Sequence, residues 1–168
     1  MNWAVFAVQW LHVILGVMWF GTVLYNAAIL IPALQSLPLP RQREFGAAVG
    51  RQGFRVIPPV AIAVIVLGIL RGTVFGPIKS LEALGTAYGI TWLVALALAI
   101  GAYFWAELVI KGSLDRMNAI PEADAIGPDG QPTPALVAAI DDAKRKTVLE
   151  LGFFLAIFTC MILMRFGL

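Results

Sequence analysis

Few residues in this chain could do chemistry in apolar surroundings. His12 is the only histidine and Cys160 the only cysteine. The other candidates are the thioethers Met18, Met161 and Met164 and the carboxyls Glu107 and Glu150. An imidazole can ligate a metal, hold a haem iron or relay a proton. Zinc wants three or four nitrogen, sulfur or carboxylate ligands, so a single histidine disfavours it. Copper(I) accepts soft donors, which makes His12 with Met161 and Met164 one metal-ligand set. Haem needs only one or two axial ligands, and its apolar face suits a helix bundle lined by Trp and Phe. A buried ring that merely satisfies itself with a backbone carbonyl is the bland alternative. One cysteine excludes an intrachain disulfide or a CxxC site, and Cys160, inside the last apolar run, reads as an inert thiol. No glycine-rich phosphate loop, catalytic triad or HExxH motif occurs.

These residues sit in apolar runs that only a membrane explains. The 168 residues are 60% apolar and 13% charged, and the mean hydropathy is +0.87. A soluble domain of this size carries about twice that share of charge. The net charge of +2 gives no support for nucleic-acid binding. The expected partner is the lipid bilayer, with a homo-oligomer or a larger membrane complex as further options.

The first run, Trp3 to Ile31, carries no formal charge except on His12 and exceeds the roughly 20 residues a bilayer core needs. It lacks the basic start and short core of a cleaved signal, so it is expected to be retained. At about 100° per residue, His12 shares a helix face with Gly16, Trp19 and Asn26. That face has a titratable ring, a gap, an indole and an amide, and is suited to face protein or a cofactor.

Pro32 is expected to end this helix. A polar connection with a short surface helix around Arg41–Arg51 then leads to a second helix at 56–75, with Pro58 and Pro59 in its first turn. Gly68, Gly72 and Gly76 recur every fourth residue, a spacing that suits a packing seam. A third helix spans 87–110, with Tyr88 and Trp92 in an aromatic-belt position and Glu107 placed to pair with Lys111. The segment 121–133, rich in Pro, Gly and Asp, reads as a flexible loop. Thr133-Pro134 then starts a helix whose later part, 147–165, is the fourth crossing.

The expected fold is therefore all-α: one domain over 1–168, a polytopic four-helix bundle with helices 3 and 4 extended into the cytoplasm. Nine of the twelve basic residues fall in the first and third connections. By the positive-inside rule these face the cytoplasm of a bacterial plasma membrane, with both termini outside.

Leu11-His12, Trp19-Phe20-Gly21 and the run from Tyr25-Asn26 to Pro32-Ala33-Leu34 resemble the first helix of the CopD-like superfamily of small bacterial membrane proteins. The resemblance covers about the first 75 residues. That superfamily includes copper-resistance proteins and the HemJ-type protoporphyrinogen oxidases. The resemblance implies a four-helix bundle with the histidine inside. By likeness to the HemJ type, it implies haem b associated with His12, and Glu150 is the nearest match to the Asn-Glu that opens the last helix of those enzymes. Three functions follow as expectations. The first is a haem-b redox or electron-transfer protein with His12 as axial ligand and Gly16, Trp19 and Asn26 around the cofactor, its enzymatic version being an oxidoreductase of the protoporphyrinogen-oxidase type. The second is a copper-handling protein using His12, Met161 and Met164, and the third a ligand-free accessory subunit.

Overall fold

A computed structural model describes residues 2–128 and 130–167, and among them the architecture is entirely helical apart from one isolated bridge between Ile126 and Pro132. Four helices are long and apolar enough to cross a membrane: α1 (Trp3–Gln35), α2 (Leu39–Gly72), α3 (Ala87–Asn118) and α4 (Pro134–Arg165). The chain is an all-α four-helix bundle of the multi-pass membrane type. Its pairs α1–α2 and α3–α4 pack most extensively, and contacts of α2 with α3 and α1 with α4 close the bundle.

Each helix starts and stops for local reasons. The Asn2 side chain accepts hydrogen bonds from the Ala4 and Val5 backbone N–H groups at 3.1 and 3.3 Å, capping α1. Thr86 does the same for α3 through Gly89 N–H at 3.1 Å. At the end of α2, Lys79 Nζ donates to the Thr73 and Val74 carbonyls, both at 2.7 Å, and supplies charge where the helix leaves acceptors unpaired.

Proline does not punctuate this chain as its sequence suggests. Helix α1 runs through Pro32 to Gln35, because a π-helical stretch, Asn26–Leu30, precedes it and Ile31 N–H donates to Asn26 O five residues back. The wider turn makes room where a pyrrolidine ring would otherwise meet the preceding turn. The first connection shrinks to residues 36–38, and α2 begins at Leu39 rather than near Val56. Pro58 and Pro59 lie inside α2. The carbonyls they deprive of donors belong to Phe54 and Arg55, beside a polar turn where water can replace the lost bonds. The expected surface helix is thus the first third of α2, so α1 and α2 are lengthened as well as α3 and α4.

A second π-helical stretch, Trp105–Ile110, lies in α3, which continues to Asn118. The expected Glu107–Lys111 ion pair is not made among the described residues. Lys111 Nζ lies instead 5.3 Å from the Phe54 ring centroid. The 119–133 connection holds one helical turn, Glu122–Ala125, and Thr133 Oγ1 donates to Asp124 O at 2.8 Å rather than capping α4.

All four helices meet at Trp19 and Val23 of α1, Ala61 and Val64 of α2, Ala102 of α3, and Phe154 and Ile157 of α4. Alanine at two of these crossings lets backbones approach closely. The Trp19 and Phe154 rings meet edge to face, centroids 5.0 Å apart. The large apolar residues left exposed, among them Trp10, Val17, Leu93 and Leu155, are the bundle's lipid-facing surface.

Candidate functional site

Between this core and the end of the bundle that carries both termini lies a cavity of about 390 Å³, within the range of cofactor and small-molecule sites. All four helices wall it, and His12 stands on the α1 wall.

The orientation of His12 follows from its neighbour on α2. Its Nδ1 lies 3.0 Å from the Val64 carbonyl oxygen. A carbonyl can only accept, so Nδ1 carries the hydrogen, and in the neutral ring Nε2 carries the lone pair. Among the described residues Nε2 has no hydrogen-bond partner. Gly68, one turn beyond Val64, permits this close approach: a Cβ there would stand 3.1 Å from His12 Cε1.

The same glycine serves a second ring. Trp92 on α3 donates its Nε1–H to the Gly68 carbonyl at 3.3 Å, and its indole fills the place a side chain at Gly72 would take. Gly68 and Gly72 therefore seat rings from α1 and α3, whereas a side chain at Gly76 would meet the backbone carbonyls of Arg71 and Gly72. Trp92 and Tyr88 belong to the cavity wall.

At the termini end of the cavity stand two guanidinium groups, Arg71 and Arg165. Arg71 Nε donates to Gln9 Oε1 at 2.8 Å and Nη1 to the Phe75 carbonyl at 3.1 Å. The remaining wall is apolar and aromatic, with Trp19, Phe154 and Phe158 prominent.

Of the residues singled out from sequence, His12, Gly16, Trp19, Met161 and Met164 line this one cavity. Asn26 does not: fourteen residues beyond His12, it lies roughly 21 Å farther along α1, within the π-helical stretch. Cys160 is buried but stands outside the cavity lining. Gln9, Gly68, Arg71, Trp92 and Arg165 join the site without having been expected there. The signals that point to them are the Gly68–Gly72 spacing and an arginine late in an apolar helix.

A separate polar cluster ties α3 to α4 near the opposite end, in the charged first part of α4 that precedes the crossing at 147–165. Ser113 Oγ, buried, donates to Asp142 Oδ2 at 2.8 Å and accepts from Lys146 Nζ at 2.6 Å and Arg116 Nη2 at 3.0 Å. Lys146 also pairs with Asp142, one turn earlier on α4. The hydrogen bonds from Lys146 and Ser113 hold the Asp142 carboxyl below its usual range. Glu150, one turn after Lys146, is 5% exposed and makes no hydrogen bond or ion pair among the described residues.

No family model, curated protein or solved structure matches the chain. The cavity combines one oriented nitrogen donor, two thioethers, aromatic walls and a cationic end. Its lining is largely apolar, with positive charge at one edge.

Proposed function

We propose that the protein is a membrane redox carrier that binds haem b in this cavity, with His12 Nε2 as axial ligand. The observation that carries the reading is the division of labour on the His12 ring. Val64 O fixes Nδ1–H and the ring plane, leaving the Nε2 lone pair for iron. Metal-binding histidines are typically oriented in this way by an outer-shell acceptor. Trp19, Trp92, Phe154 and Phe158 supply aromatic walls against which a ring system would pack. When bound, haem would supply one-electron exchange; the chain's residues would hold the ring and set its orientation. The distribution of basic residues supports a cavity toward the outer side of the membrane.

Haem retained by the purified protein, measured as pyridine haemochrome, tests the reading. One haem per chain is expected for the wild type and none for His12→Ala. Equal contents would overturn it.

A second reading rests on Met161 and Met164, whose sulfurs line the same cavity as His12 and could form a soft site for copper(I). A cavity of this size exceeds what a lone ion needs, and so haem comes first. Cuprous loading would favour copper if stoichiometric binding were lost in Met161→Ala and the protein took up no haem.

A further inference from the structure

We infer that the termini end of the cavity is an anion seat, in which Arg71 and Arg165 receive the carboxylates of the bound ligand. This rests on the cavity being a ligand site, and it narrows the ligand class to flat amphipathic acids.

The α1–α2 seam has two successive rungs. On one, His12 meets Val64 and Gly68; on the next, Gln9 meets Arg71. Gln9 lies three residues before His12 and Arg71 three after Gly68. The metal-binding nitrogen and the guanidinium are thus offset by about one helical turn, roughly 5 Å along the bundle. That offset suits a ligand with a metal at its centre and acids on its edge.

Arg71 is held but not neutralised. Its two hydrogen bonds go to an amide oxygen and a backbone carbonyl, both uncharged. Its Nη2 has no partner among the described residues, and neither Arg71 nor Arg165 forms an ion pair there. The only acidic side chain in the sequence near this end is Glu82, in the 73–86 connection. A guanidinium held at Nε and Nη1 presents its free edge in fixed geometry, which is the arrangement that reads carboxylates. A lipid phosphate shares this chemistry. Against that source, Gln9 tethers Arg71 to the cavity wall, whereas an arginine serving headgroups extends outward.

The test compares protoporphyrin with its dimethyl ester, in which both acids are masked. Binding is followed by quenching of tryptophan fluorescence in nanodiscs of either phosphatidylcholine or anionic phosphatidylglycerol. The metal-free ring needs no axial ligand, so the seat is tested apart from haem ligation. The Soret shift with haem, in wild type and His12→Ala, reports ligation separately. The wild type is expected to prefer the free acid by about tenfold in both lipids. Arg71→Gln is expected to lose most of that preference, with a wild-type circular dichroism spectrum and melting temperature showing that it folds. Arg165→Gln, a change at an exposed position, is expected to lose part of it. Equal binding of acid and ester by the wild type would overturn the proposal, as would a preference that survives both substitutions. A preference abolished by anionic lipid would assign the arginines to lipid phosphate and overturn it too.

Discussion

The Nδ1 atom of His12 lies 3.0 Å from the carbonyl oxygen of Val64, and this contact joins the only histidine to the last third of the facing helix α2. A helical carbonyl has a second lone pair to offer, so the bond forms without dismantling α2. The glycine one turn on, Gly68, leaves the ring room to make it.

Gly68→Ala is therefore expected to separate binding from stability. The new methyl would stand 3.1 Å from His12 Cε1 and 3.7 Å from Nδ1, so the ring must shift by a few tenths of an ångström. The helix itself gains about 0.5–1 kcal/mol from the substitution. Haem titration should show affinity reduced about tenfold, with a melting temperature that does not fall. Unchanged affinity would mean that the ring position is not critical.

Gly72→Ala meets a harder obstacle, because the Trp92 indole already fills that space. Overpacking of this kind costs about 1–3 kcal/mol. Thermal unfolding in detergent should fall accordingly, with a change in tryptophan emission as the indole leaves Gly68 O. The wild-type melting temperature and emission together would contradict the placement of Trp92.

At the other end, Asp142 makes α3–α4 packing sensitive to acid. Its folded carboxyl is held below the ordinary value by Lys146 and Ser113. Its contribution is complete above about pH 4, the unfolded value, and is lost as pH falls through the lower folded value. Asp142→Asn should be less stable than wild type at pH 7, and the difference should shrink toward pH 3. A difference independent of pH would show that the carboxylate's charge is not what matters.

Glu150 makes the opposite prediction. It is buried without a partner among the described residues, and Lys146, which could reach it from one turn away, is engaged by Asp142 and Ser113. Replacing a largely buried carboxyl that has no partner among the described residues with an apolar side chain of similar size lowers a desolvation cost. Glu150→Leu is expected to raise stability by about 1 kcal/mol in thermal unfolding. Destabilisation of that size would reveal a partner for the carboxyl outside this chain.

What is legible in the sequence follows from what one helix can know about itself. The four crossings are visible because runs of 18 or more apolar residues seldom occur outside a membrane helix. His12, Gly16 and Trp19 fall on one cavity wall because helical periodicity holds over two turns of α1. The same rule places Asn26 with them, yet sharing a face says nothing of depth. Prolines mislead where water or a wider turn can absorb them, at Pro32, Pro58 and Pro59. Arg71 and Trp92 are not legible as site residues, since periodicity within α2 or α3 carries no register between helices. That register comes only with contacts such as Gln9–Arg71 and Gly68–Trp92.

The most direct measurement is the reduced-minus-oxidised visible spectrum of the detergent-purified protein, expressed with haem available, beside that of His12→Ala. Haem ligation by His12 Nε2 predicts a b-type spectrum in the wild type that disappears in the variant, with the variant still folded by circular dichroism. A featureless spectrum in the wild type, or a b-type spectrum that survives loss of His12, would contradict it.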